Sequence, residues 1–194
     1  LRARVHELNA RSDVHGVFVQ LPLPAQVDTR AVLDAIDPAK DVDGCSAVSL
    51  GRLALGQSTL IACAPLAALL SIQHVGRELS GKSALVIADA DLVRQPLAHL
   101  LLRENCTVTI AGSNARELPQ LCADAEILVA SIGRPHAIAG EWIRPGAIVI
   151  DLGLNRIGGA ESRRVVGDVE FAAAAQRARA ITPVPGGLGP LTIA

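Results

Sequence analysis

The sequence contains no methionine and no tyrosine, and its charge has no dominant sign: 18 Lys plus Arg stand against 19 Asp plus Glu. Near-neutrality removes the field that would hold nucleic acid or an anionic membrane, so neither is expected as a partner. No apolar run approaches the roughly 20 residues of a spanning helix, and the opening LRARVHELNA has no signal-peptide core, so a soluble, cytoplasmic protein is expected. Cys45, Cys63, Cys106 and Cys122 form no C-x-x-C pair and have no histidine cluster nearby. That pattern points to no metal site and no redox dithiol, and predicts buried thiols in a reducing compartment. With no methionine there is no initiator, and Leu1 opens in mid-helix pattern, which predicts a fragment or a trimmed product.

What is present is apolar. Half of the 194 residues are hydrophobic and 19% are charged, which excludes disorder and allows one to two compact domains. Leu1, Val5 and Leu8 sit at helical spacing, and residues 16–20 (GVFVQ) predict a buried strand. The prolines of Leu21-Pro22-Leu23-Pro24 cannot continue a ladder, so Gln20 falls where the chain leaves its sheet. A helix is predicted over 29–36, followed by an acidic turn-rich loop over 37–44. From about Ser58 onward, strands (83–88, 106–111, 126–130, 147–152, 180–183) alternate with helices (65–75, 93–103, 170–177). Such alternation predicts a doubly wound parallel, Rossmann-like α/β sheet.

Ligands of such sheets bind beyond the carboxyl ends of the strands, which singles out the turns at 88–93, 112–114, 131–133, 151–155 and 186–190. The glycine fingerprint of a pyrophosphate-binding turn is missing from the first of them. Pattern alone therefore gives only a weak dinucleotide signal.

Longer motifs are more specific. GVFVQLPLP (16–24), DPAKDVDG (37–44), GRLALG (51–56), GEWIRPGAIVIDLGLN (140–155), VVGDVEF (165–171) and ITPVPGGLGPLTIA (181–194) resemble, in order and interval, the bifunctional methylenetetrahydrofolate dehydrogenase/methenyltetrahydrofolate cyclohydrolase family. The resemblance implies part of a smaller α/β folate domain over 1–60, a cofactor domain over 61–187, and the start of a return helix over 188–194. It also implies NADP-dependent oxidation of the folate's methylene bridge, hydrolysis of the methenyl product, and a homodimer. Gln20 matches a glutamine that tunes a catalytic lysine, Asp43 an aspartate that holds the pterin ring, and Gly189 and Pro190 the loop that shapes the folate pocket.

Two sets of departures stand out. In the first Rossmann turn the family pattern of Gly, Arg or a small residue, then Ser, with Val-Gly beyond, is replaced by Ala88, Asp89, Ala90, Val93 and Arg94. A Cβ at residue 88 penalises any positive φ, and Asp89 places an anion near cofactor phosphates, so NADP binding is expected to be weakened or lost. Arg94 either compensates as a cation at the helix start or fills the pyrophosphate space. Ser113 matches a serine near the adenosine ribose phosphate, and no acid occupies its strand end in sequence, which favours NADP over NAD. Arg116 is read as a solvated arginine or a spare phosphate partner, and Leu154 stands by the nicotinamide in place of isoleucine. The family's Y-x-x-x-K helix has no counterpart here, since neither Lys40 nor Lys82 matches its lysine. Very low cyclohydrolase activity is expected without it, as is, on a second reading, a non-catalytic paralogue acting as a binding or assembly subunit.

Overall fold

The computed structural model describes residues 1–159 and 164–194, which fall into two compact units, Leu1–Ala62 and Cys63–Ala194. In the first unit three helices, α1 (Arg2–Ala10), α2 (Thr29–Leu33) and α3 (Ala47–Ala54), are joined by long irregular segments. Asp28 caps α2 by accepting from the Ala31 N–H, and Ser46 caps α3 by accepting from the Ser49 N–H. The predicted helix over 29–36 stops at Leu33, with the backbone tightening into turns through Ile36. The predicted strand over 16–20 is extended, with Val17 and Val19 buried and Phe18 exposed, but it forms a single bridge, Val17 to Asp41. Beyond that bridge, Pro22 and Pro24 offer no N–H with which to lengthen a ladder.

The second unit is a doubly wound α/β domain. The chain runs α4 (Cys63–Val75), β1 (Ser83–Ala88), α5 (Asp91–Arg103), β2 (Thr107–Ala111), α6 (Leu118–Asp124), β3 (Ile127–Ser131), β4 (Ile148–Asp151), the antiparallel hairpin β5 (Asn155–Ile157) and β6 (Arg164–Val166), α7 (Phe171–Ala175), β7 (Ala180–Ile181) and α8 (Leu188–Ile193). The sheet order is β2-β1-β3-β4-β7, and every pairing is parallel. β1, β3 and β4 are almost wholly buried apolar runs because helices cover both faces, whereas edge strand β2 leaves Ile110 44% exposed. Leu85, Ile87, Leu128, Val149, Ile138 and Ile143 centre one core cluster.

Helix α5 begins at Asp91, two residues before the predicted start, because an acid in the first turn suits the helix dipole. It ends where Asn105 adopts φ 59°, the left-handed cap that asparagine tolerates. No element was predicted over α3, α6 or the β5–β6 hairpin, all of which are short. The hairpin nevertheless matters, since it returns the chain from the end of β4 to Asp168 beside Asp151.

Candidate functional site

Because all five strands are parallel, the turns after β1, β2, β3, β4 and β7 open on the same edge of the sheet. Strand order reverses between β1 and β3, paired Ala88 to Ser131, and this is the switch point at which open α/β sheets bind ligands. Ala88 is fully buried within β1, and the left-handed non-glycine residues among those described, Asn105 and His136, lie elsewhere. The absence of glycine at residue 88 therefore costs no backbone strain. Ala90 is the N-cap of α5 and offers no side-chain cap; the Val93 N–H donates to the Ala90 carbonyl, which leaves the Asp91 and Leu92 N–H groups to face an anionic ligand.

The charged residues of this turn are already paired. Arg94 donates to Asp91 Oδ1 through Nε at 2.7 Å and Nη2 at 2.6 Å, so its guanidinium lies along the first turn of α5. Asp89 instead reaches the end of β2, where its Oδ1 accepts from the Ser113 N–H at 2.8 Å. Ser113, through its hydroxyl and its backbone N–H, holds the Asp89 carboxyl below the usual carboxylate range. Arg134, from the turn after β3, donates to the Ser113 carbonyl at 3.2 Å. Ala88, Asp89, Ala90 and Ser113 thus share one rim, with Arg134 as a member that the sequence did not single out.

Farther along the edge, a cavity of about 290 Å³ is lined by residues that include Asp151, Leu154, Pro185, Gly187, Leu188 and Gly189. Leu154 is 70% exposed at its mouth, an apolar surface placed to meet a planar ring. Pro190 follows in α8 and is exposed.

A buried carboxylate pair that sequence reasoning missed sets the shape of this rim. Asp168 is fully buried and accepts from the N–H groups of Ile132, Gly133 (3.1 Å) and Arg134 (3.1 Å) and from Asn155 Nδ2 (2.7 Å). Three consecutive amides curl around one carboxylate, so an internal anion fixes the turn after β3. Asp151 accepts from the N–H groups of Gly153 (2.8 Å), Asp168 (3.0 Å) and Val169 (2.8 Å). Burial pushes the Asp151 carboxyl up, against the pull of those donors. A Cβ on Gly153 would stand 2.4 Å from Asp168, which is why the turn after β4 needs glycine. The signal was available in DLGLN and GDVEF, each placing an acid within two residues of a glycine.

In the first unit the two aspartates of the acidic turn divide their work. Asp41, 4% exposed, accepts from the N–H groups of Cys45 (3.3 Å) and Ser46 (2.9 Å) and from the Ser49 hydroxyl (2.8 Å). Burial pushes its carboxyl up, but the Ser46 and Ser49 donors outweigh burial and hold it below its ordinary value. Asp43 is left half-exposed, with the Cys45 thiol donating to its Oδ2 at 3.2 Å. Gly44 between them has φ +69° and would drive a Cβ to 2.6 Å from the Leu60 carbonyl oxygen. Gln20 is exposed, and its Nε2 donates to the Leu21 carbonyl, which leaves Oε1 toward solvent.

Lys40 donates to the carbonyls of Leu8 (3.2 Å), Asn9 (2.6 Å) and Arg11 (2.7 Å) and so closes the end of α1. Lys82 pairs with Glu126 at 3.2 Å. Of the four thiols, Cys106 and Cys122 are buried as expected, whereas Cys63 is exposed and Cys45 half-buried. Among the described residues no group of His, Cys, Asp and Glu could hold a metal ion, and no helix is long and apolar enough to cross a membrane.

Comparison with known proteins agrees with this geometry. Residues 62–194 match the tetrahydrofolate dehydrogenase/cyclohydrolase NAD(P)-binding domain, and residues 1–43 match the catalytic domain of the same family. The chain is 53% identical over 194 residues to the bifunctional protein FolD 2 of Paracoccus denitrificans, covering all of this chain and 64% of that protein. It is 51% identical to FolD of Rhodospirillum rubrum, over 99% of this chain and 67% of that one. The chain thus spans about 64% to 67% of the length of these curated relatives. Among solved structures, the Trypanosoma brucei methylenetetrahydrofolate dehydrogenase-cyclohydrolase complexed with NADP cofactor and inhibitor superposes with a TM-score of 0.91 at 36% identity, over 99% of this chain and 67% of that one. The Campylobacter jejuni bifunctional enzyme gives 0.90 at 35%, with the same coverage of each chain. With domain matches in this order and half-identical relatives along its whole length, the chain belongs to the tetrahydrofolate dehydrogenase/cyclohydrolase family.

Proposed function

We propose that the chain serves folate one-carbon metabolism, contributing the dinucleotide-binding domain and part of the folate domain of a methylenetetrahydrofolate dehydrogenase/methenyltetrahydrofolate cyclohydrolase. The observation that carries this reading is the match to FolD proteins along the whole of this chain, together with an α5 N-terminus without a side-chain cap at the sheet's switch point. When bound, a nicotinamide dinucleotide, NADP as in the trypanosomal relative, supplies the hydride acceptor. The chain's own residues supply orientation. The first-turn amides of α5, beside Ala88 and Ala90, receive phosphate oxygens. Asp89 and Ser113 meet the adenosine ribose, and Leu154 packs against the nicotinamide.

On the folate side, Asp43 suits the N–H donors of a pterin ring, because Asp41 already satisfies the backbone of the turn and leaves the Asp43 carboxylate half-exposed. Gly189 and Pro190 shape the pocket, and Gln20 presents its amide oxygen to the group that activates the water of hydrolysis. Within these residues both lysines are engaged, Lys40 on the α1 carbonyls and Lys82 on Glu126, so neither serves as that group. Residues 1–60, 61–187 and 188–194 are assigned as folate-domain, cofactor-domain and return-helix segments, and the assembly as a homodimer in the cytoplasm.

The experiment is calorimetric titration of the folded chain with NADP, alone and after addition of a tetrahydrofolate derivative. Saturable NADP binding in the micromolar range is expected, and folate should bind more weakly to Asp43→Ala. No NADP binding by the folded chain would favour a non-catalytic subunit, a reading motivated by the altered first turn.

A further inference from the structure

The sequence places no acid at the end of β2, yet the fold delivers one. Asp89 leaves β1 and crosses to the adjacent edge strand, where the Ser113 N–H fixes its Oδ1 at 2.8 Å. In doubly wound dinucleotide domains, a carboxylate at the end of the second strand accepts the adenosine ribose 2′-hydroxyl, whereas an arginine there accommodates a 2′-phosphate. Resting on the reading above, we propose that Asp89 is a specificity-determining residue, whose carboxylate at the end of β2 accepts a ribose hydroxyl and ranks a dinucleotide with a free 2′-hydroxyl above its 2′-phosphorylated counterpart.

Two observations support this assignment. First, the carboxylate keeps capacity for a ligand. A carboxylate has about four acceptor positions, Ser113 occupies part of them, and Asp89 is otherwise exposed. Second, the neighbouring cations are already matched. Arg94 is paired with Asp91, and Arg134, held on the Ser113 carbonyl, stands near the Asp89 carboxylate, which offsets part of its charge. NADP still binds through its pyrophosphate and nicotinamide, but its 2′-phosphate is a handicap in place of an anchor. Two like charges against one, at about 4 Å in a water-like dielectric, correspond to about a thirtyfold difference.

The test is calorimetric titration of the full chain with NAD and with NADP, repeated with Asp89→Asn and Asp89→Ser. Asn keeps an acceptor for the Ser113 N–H and removes the charge, so folding is preserved. NAD is expected to bind about thirtyfold more tightly than NADP, with the gap narrowing as salt is raised. In both variants NADP affinity should rise by at least tenfold, and NAD affinity should fall or stay level. NADP binding more tightly than NAD, with no gain in the variants, would overturn the proposal while leaving the dinucleotide reading intact, and would assign the phosphate to Arg116 or Arg134. Failure of both nucleotides to bind the folded chain would overturn both.

Discussion

Replacing Asp168 with alanine should unfold the rim of the second unit from within. Four donors converge on this carboxylate: the amides of Ile132, Gly133 and Arg134, and the side chain of Asn155. They do not lose equally. Gly133 and Arg134 are exposed, so water can replace the carboxylate there, whereas Asn155 is 7% exposed and Ile132 half-buried. An orphaned buried donor costs about 1 to 3 kcal/mol, so the two drier groups set a loss of about 3 to 5 kcal/mol once the vacated carboxylate volume is included. Against the roughly 5 to 15 kcal/mol of a typical domain, that is a large share. Asp168→Asn keeps one acceptor oxygen but turns an NH₂ toward donors, and should fall between wild type and Asp168→Ala. Urea unfolding followed by circular dichroism reads the effect as a drop in midpoint at unchanged slope. A loss under about 1 kcal/mol for Asp168→Ala would refute the view that this carboxylate holds the turn after β3.

Leu154→Ser should leave the thermal midpoint within the scatter of a surface change, since the side chain is 70% exposed, yet weaken dinucleotide binding by about tenfold in calorimetry. Lys40→Met removes three charge-assisted bonds from the end of α1, and hydrogen exchange should show faster exchange of α1 amides with the second unit unaffected. The Asp41 carboxyl is held below its ordinary value of 3.8, so its contribution is present above that pH and is lost as pH falls through the lower folded value. Asp41→Asn should therefore destabilise at pH 7 and show a flatter acid limb below about pH 4 in pH-dependent urea titrations. The Cys122 thiol, pushed up to about 12 by burial, should resist alkylation in the folded chain at pH 8, while exposed Cys63 reacts; mass spectrometry of the modified chain separates them.

Much of the second unit was legible because its signals are local and strong. The runs SALVIA, ILVAS and IVID are short, apolar and β-branched, as covered parallel strands are, and the α4 and α5 segments, at 13 residues each, are too long for such strands. The short elements were not predicted: α6 and the hairpin have too few residues for a period, and the amphipathic stripe of α3 covers only about two turns. Their boundaries depend on caps such as Ser46 and on what they pack against. In the first unit the alternation at Val17, Phe18 and Val19 is real, but a ladder needs a partner strand, and pairing is a tertiary event.

Sequence alone determined the family and the α/β class, because long motifs and hydrophobic periodicity are written along the chain. Only the tertiary structure decided which acid does what. Asp41 rather than Asp43 is spent on the backbone, Asp168 is buried under three amides, and Asp89 leaves its own strand to stand at the end of the next. A carboxylate's role is set by the donors and charges within a few ångströms of it, and those come from residues as much as 36 positions away.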